Sequence, residues 1–295
     1  MQSAAGLSTN RFDKEIAFSS VMEEAGFILV AHAVDFGSGF RPVLHEHRGG
    51  AGAWVTIRAG LVNLGLANKA CEATWLAGLT LADVQGFFDL NVNELRPLAV
   101  FLQEDLNELG TELLKRGFST PGEFVEAVVD QGATGMVAQL VETFPLTFND
   151  QYEVGGQRVC FFKKAQLVVS ELFMRFNKEN ERFNFTDVNN LTAFVDNVVV
   201  AMMRQNGCID VNDSALSARL DAGECIEKGS EEEVALRARA VTATELIVEW
   251  VNDFVASRPP VLNAQRLCNW LWGGLGKHPA NRKYPRHLTP STSFY

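Results

Sequence analysis

Two charged residues, Lys163 and Asp196, stand inside otherwise apolar runs in the middle of the chain, in Cys160-Phe-Phe-Lys-Lys-Ala-Gln-Leu-Val-Val169 and Leu191-Thr-Ala-Phe-Val-Asp196. Lysine and aspartate are rarely buried unless paired, and an unpaired buried charge costs several kcal/mol, on the order of 3–5. Such placement marks candidates for function. A carboxylate like Asp196 can stabilise a cationic transition state, activate water or attack directly. On residue type alone it reads first as the N-cap of a helix beginning at Asn197. Phe194, two positions earlier, can offer an apolar face to a flat ring. The ammonium of Lys163 can hold a carbonyl, fix the carboxylate of Asp196 or contact a phosphate, and sequence does not choose among these. Lys164 is expected to be a solvated cation on another helix face.

Further groups lie outside this centre. Val34-Asp35-Phe36-Gly37-Ser38-Gly39 joins a carboxylate and an aromatic to two glycines that let backbone donors approach a ligand, so either a binding loop or a simple turn fits. It matches neither the P-loop nor the dinucleotide fingerprint. His45-Glu46-His47 could present two imidazoles, but a catalytic zinc needs a third protein ligand. The flanking Arg48-Gly49-Gly50 predicts a surface loop, and no metal or other cofactor is expected. Trp272, in Asn269-Trp-Leu-Trp-Gly273, can stack on a base or pack in the core. The basic stretch from Lys277-His278 to Arg286-His287 is expected to act as a structural strap rather than a lid.

Helices must position these groups. Apolar residues recur at helical spacing in Leu95, Leu98, Leu102, Leu106, Leu109 and Leu113, and again from Leu236 to Phe254. Thr80 with Asp83, and Thr120 before Pro121 and Glu123, predict helix starts, and Gly117 predicts a stop. Strand signals are sparse: Gly26–Val30, Ala53–Ile57, and a short edge at Gln157–Cys160 after Gly155-Gly156. Gly37–Gly52 and Pro279–Pro290 are expected to be rich in turns. The fold class is mainly α, one globular helical domain over residues 1–295 with a few short strands.

Composition narrows the function classes. The 295-residue chain is 47% hydrophobic and 21% charged, which suits a globular protein, and carries a net charge of −10. An acidic chain disfavours a polynucleotide partner, whereas a mononucleotide needs only one or two cations and a few backbone donors. Apolar stretches are shorter than the roughly 20 residues of a membrane span, and Met1–Arg11 lacks a signal-peptide pattern, so no membrane and a cytoplasmic location are expected. Cys71, Cys160, Cys208, Cys225 and Cys268 are widely spaced and are expected to be buried or half-buried free thiols.

The chain also resembles a known family. Phe162-Lys163-Lys164-Ala165-Gln166 followed by Phe194-x-Asp196 is similar to the central signature of the queuosine salvage proteins, with Lys163 and Asp196 thirty-three positions apart. Collinear matches run from about Gly26 to Tyr295, through Asp35-Phe36-Gly37-Ser38-Gly39, Leu81-x-Asp83-Val84, Val141-Glu142-x-Phe144-Pro145, Glu233-Val-x-x-Arg237, Glu245-Leu246 and Trp272. The resemblance implies hydrolysis of the N-glycosidic bond of queuosine 5′-monophosphate to release queuine, with a small-molecule nucleotide as the partner. It implies a helical architecture akin to helix-hairpin-helix DNA glycosylases. It reverses the preference at Asp196 in favour of catalysis, and assigns substrate binding to Phe194, Lys163, Trp272, Asp35 and Phe36. Two departures stand out. Cys268 and Lys277 fall near positions where relatives carry acidic residues suited to the amine and diol of queuine, and relatives carry an additional N-terminal helical segment. These departures motivate an alternative, a non-catalytic binding protein for a 7-deazaguanine nucleoside or base.

Overall fold

Helix after helix follows from the capping and spacing signals, in a computed structural model that describes residues 12–67, 72–256 and 261–295. The first half comprises α1 (Val21–Ala33), α2 (Arg41–His47), α3 (Ala53–Leu66), α4 (Ala73–Ala77), α5 (Leu81–Phe88), α6 (Arg96–Lys115), α7 (Pro121–Val128), α8 (Gly132–Thr143) and α9 (Pro145–Phe148). A hairpin, β1 (Gln151–Val154) and β2 (Gln157–Cys160), leads into α10 (Lys163–Phe176). Then come α11 (Asn197–Gln205), α12 (Ser214–Ala222), α13 (Glu231–Val255) and α14 (Ala264–Asn269), the last running into a π-helical turn at Trp270–Leu275. Thr80 and Asp83 form a reciprocal capping box on α5, and Thr120 caps α7 by accepting from the Glu123 N–H at 3.1 Å. Gly117, at φ +83°, follows the end of α6.

The hairpin is the only sheet among the described residues, with Gln151 opposite Cys160 and Val154 opposite Gln157 across a two-glycine turn. The expected edge at Gln157–Cys160 is therefore present, but the other two expected strands are not. Gly26–Val30 lies within α1 and Ala53–Ile57 opens α3. Ten of the thirteen α1 residues are buried, so this helix is covered on every side and its apolar residues show no period of 3.6. Gly26 serves a crossing instead: a Cβ there would lie 2.4 Å from the Gly122 nitrogen of α7. The segment Gly37–Gly52 is likewise more regular than expected, because α2 occupies its centre and carries His45, Glu46 and His47 on a helix.

Two hydrophobic clusters organise the interior. The first gathers α1 and α3–α10 around residues such as Phe27, Leu61, Leu106, Phe144 and Phe176. The second gathers α11–α14 around Val199, Met202, Ala240 and Leu271. Loop 177–196 passes from one to the other, with Leu191 in the first and Ala193 in the second. Three thiols, Cys160, Cys208 and Cys225, are exposed rather than buried because they sit on the hairpin edge and in loops. Cys268 is buried and free, and Cys71 lies outside the described residues. Among the described residues no single helix is long and apolar enough to cross a membrane.

Candidate active site

The hairpin returns the chain to Asp150, whose carbonyl accepts from the Phe161 N–H at 2.9 Å. Phe162 then takes the left-handed conformation at φ +48°, which is sterically costly for a residue with a Cβ and turns the chain sharply into α10. Lys163 and Lys164 are thus the first two helical residues and point to different surroundings. The Lys163 ammonium donates to the Asp35 carbonyl at 2.8 Å and lies 3.9 Å from Asp35 Oδ1. Lys164 is not the solvated cation its type suggested. It is 2% exposed, donates to Asp105 Oδ2 at 2.6 Å and to the Ala33 carbonyl at 2.7 Å, and stands 4.8 Å from the centre of the Phe36 ring. Its partner Asp105 lies 59 positions away, on α6.

Asp35 follows the end of α1. Burial raises its carboxyl, but Lys163, His32 and Lys164 together outweigh burial and hold it below its ordinary 3.8. It therefore presents a negative charge at neutral pH. His32 Nδ1 is 3.6 Å from Asp35 Oδ2.

Asp196 reaches the same place from the second cluster. Gln166 of α10 ties the two segments together, donating to the Phe161 carbonyl at 2.8 Å while its oxygen accepts from the Thr192 N–H at 2.7 Å. Asp196 is the N-cap of α11, with Oδ1 accepting from Val198 and Val199 at 2.9 and 3.0 Å. The capping role and a place in the cavity are both realised: one oxygen is fixed by the helix terminus, and the carboxylate lines the cavity wall. The helix N-terminus favours negative charge there. Phe194 is 3% exposed within the second cluster and is not among the cavity-lining residues. Its carbonyl accepts from Cys268 Sγ at 3.5 Å. Burial and the nearby Asp196 push that thiol up to about 12, so Cys268 is neutral.

The cavity, about 300 Å³, is walled by both clusters. Asp35, Phe36, Trp54 and Lys163 come from the segments of the first cluster, and Asp196, Val198 and Trp272 from those of the second. Trp272 lies in the π-helical turn, a wide-turn geometry that recurs at functional sites. The Lys277 ammonium stands 4.1 Å from the centre of its ring. Five of the six expected site residues therefore converge, with Phe194 behind the wall.

Four residues absent from the expected site, Arg41, His45, Arg282 and Arg286, also line the cavity. Arg41 Nε donates to His45 Nε2 at 3.4 Å, and its Nη2 donates to the Arg282 carbonyl at 2.8 Å. Burial, together with Arg41, Arg282 and Arg286, lowers the His45 imidazole. Burial and Arg41 bring Arg286 down to about 10, still cationic at neutral pH. The only sequence signal for this cluster is the basic stretch between Lys277 and Arg286 in an acidic chain. Nothing local ties Arg41 to it. Among the described residues no group of three His, Cys, Asp or Glu side chains is placed to hold a metal ion.

The C-terminal segment proves to be both strap and wall. Lys277, Arg282, Arg286 and Tyr295 line the cavity, while Thr289, Thr292, Phe294 and Tyr295 are buried. Asn197, next to Asp196, donates to the His287 carbonyl at 2.9 Å, and Gly37 donates to the Tyr295 carbonyl at 3.3 Å. At Gly39 a Cβ would lie 2.5 Å from the Thr289 carbonyl oxygen, so only glycine admits the strap this close. Below it, the fully buried Arg237 of α13 pairs with Asp150 and Glu233 and donates to the Val195 carbonyl at 3.3 Å. The Tyr295 hydroxyl completes the network on Glu233 at 2.9 Å.

A helical protein with an anionic carboxylate floor, aromatic walls and an arginine-lined mouth has the features of a nucleotide-handling enzyme. Comparison with known proteins supplies the family. A family model described as queuosine salvage protein matches residues 54–295. The chain is 31% identical over 290 residues to a queuosine 5′-phosphate N-glycosylase/hydrolase of Sphaerobacter thermophilus, covering 96% of this chain and 85% of that one. It is 26% and 25% identical to proteins of the same name from Mus musculus and Bos taurus, each match covering 74% of this chain and 64% of the relative. The chain belongs to the queuosine salvage protein family.

Proposed function

We propose that this protein hydrolyses the N-glycosidic bond of queuosine 5′-monophosphate, releasing queuine and ribose 5-phosphate. The observation that carries this reading is the pairing of a helix-capped carboxylate, Asp196, with a cation-lined mouth on one cavity. In the reaction the bond between C1′ and the base nitrogen breaks and positive charge develops on the sugar. Asp196 faces that charge with an oxygen already oriented by the Val198 and Val199 N–H groups, so little reorganisation is needed. A water supplies the new C1′–O bond, and its proton balances the departing base nitrogen. Asp35, held ionised, accepts hydrogen bonds from the N–H edge of the base, with Lys163 fixing its position. Phe36 and Trp272 offer apolar faces to the ring, and Arg41, Arg282 and Arg286 receive the 5′-phosphate. Phe194 contributes from behind the wall, packing the segment that carries Asp196.

The net charge of −10 accords with a free nucleotide rather than a polynucleotide as substrate. One observation favours a second reading: Lys277, cationic and over Trp272, suits a cationic queuine amine poorly. A protein that binds a 7-deazaguanine nucleoside without cleaving it would then result. Incubation with queuosine 5′-monophosphate, with chromatography of free base beside equilibrium binding, separates the two: release supports the hydrolase, and binding without release supports the second reading.

A further inference from the structure

The mouth of the cavity carries more positive charge than one phosphate uses. It opens into a wider groove of about 690 Å³, which shares Arg41, His45, Lys277, Arg282 and Arg286 with the cavity and adds Lys283. Among the described residues, no aspartate or glutamate lines this groove. Five of these side chains are arginine or lysine, and among the described residues none is within ion-pair distance of a carboxylate, although the chain as a whole is strongly acidic. Their hydrogen bonds go to neutral groups, Arg41 to the Arg282 carbonyl and His45 Nε2, and Arg286 to the Gly276 carbonyl at 3.1 Å. Arg286 Nε is buried and has no partner at all. Asp35 faces Lys277 and Asp196 faces Arg286 from the cavity side, but like charges gathered with too few counter-charges are costly, which favours an anion in the groove. A 5′-monophosphate brings a charge of about −1.5 to −2, which together with Asp35 and Asp196 still falls short of the five basic side chains.

We propose that the groove is a second anion subsite, which takes a further phosphoryl group joined to the 5′-phosphate, so that the ligand class includes nucleoside 5′-diphosphates. This rests on the placing of the 5′-phosphate at the mouth under the reading above. Lys283 is the distinguishing residue, because it lines the groove and not the cavity. Charge-assisted contacts to a second phosphate strengthen binding by about tenfold or more.

The test is calorimetric titration of the whole chain with inorganic phosphate and with pyrophosphate, in the native protein and in Lys283→Ala. The expected result is pyrophosphate binding about tenfold tighter than phosphate, with most of that difference lost in Lys283→Ala and phosphate affinity unchanged. Equal affinities for the two anions, or a difference that survives in Lys283→Ala, would overturn the proposal. Base release from queuosine 5′-monophosphate is measured in the same preparations and is expected to be unaffected by Lys283→Ala. Absence of release in the native protein, with the pyrophosphate preference intact, removes the hydrolase reading and leaves the subsite standing. Release without any pyrophosphate preference does the reverse.

Discussion

The cavity floor and the interior beneath it are built from the same residue types and do opposite things with them. At the floor, Lys163, Asp35 and Asp196 all line an open space, Lys163 and Asp196 fixed by backbone groups and Asp35 flanked by Lys163 and His32. In the interior, Lys164 with Asp105, and Arg237 with Asp150, Glu233 and Tyr295, are buried and paired. Lys163 and Lys164 are adjacent in sequence, so helix geometry alone sends one to the cavity and the other to the core. Burial without exposure to a ligand makes a charge structural. Burial at the wall of a cavity, with a spare valence, makes it available for chemistry.

Substitutions that keep shape but change charge should affect activity at the floor and folding in the interior. Asp196→Asn has the largest expected effect, a fall in base release of about 10³-fold, as befits loss of a charge-stabilising carboxylate. Asparagine caps helices nearly as well as aspartate, so thermal melting should hardly move. A matching loss of melting temperature would make Asp196 structural after all. Arg237→Met should show the converse, a loss of about 3–5 kcal/mol in chemical denaturation, because Asp150 and Glu233 are left buried and unpaired. Lys164→Met alone should cost a similar amount, and the double change Lys164→Met with Asp105→Leu should recover most of it. Failure of the double variant to recover would mean that the pair contributes more than mutual neutralisation.

Two smaller effects sharpen the contrast. Lys163→Ala should lower kcat/KM by about tenfold while costing less stability than Arg237→Met. It should also move the acid limb of the pH–rate profile upward, since Lys163 is one of the groups that hold Asp35 below 3.8. An unchanged profile would detach Lys163 from Asp35. His287, 1% exposed in the strap, is brought by burial from 6.5 to about 3. The unfolded chain therefore binds a proton that the folded one refuses. Stability contributed by this group is complete above pH 6.5 and declines as pH falls towards 3, by at most about 1.4 kcal/mol per pH unit. His287→Gln should flatten that acid decline in thermal melts, and an unaltered decline would assign it to other groups.

Much of this organisation is legible from sequence where the signal is local. Capping pairs such as Thr80 with Asp83, the period of Leu98–Leu113 in α6, and the turn at Gly155-Gly156 depend on neighbours a few positions apart. The apolar runs at Gly26–Val30 and Ala53–Ile57 mislead because short apolar segments carry no period that separates a buried helix from a strand. Lys164 misleads because Asp105 is 59 positions distant. At the site, Asp196, Lys163, Asp35, Phe36 and Trp272 are legible through residue type and family likeness. Arg41 and His45 are not, since their partnership with Arg282 and Arg286 spans about 240 positions and exists only once the strap is in place.

The central claim, that the capped carboxylate acts on a phosphate-bearing nucleoside in this cavity, is tested most directly by comparing native protein with Asp196→Asn on queuosine 5′-monophosphate, queuosine and guanosine monophosphate, following free base by chromatography. The expected result is queuine from the monophosphate with native protein and none with the folded variant. Undiminished release by Asp196→Asn, or release from queuosine as fast as from its 5′-monophosphate, would contradict it.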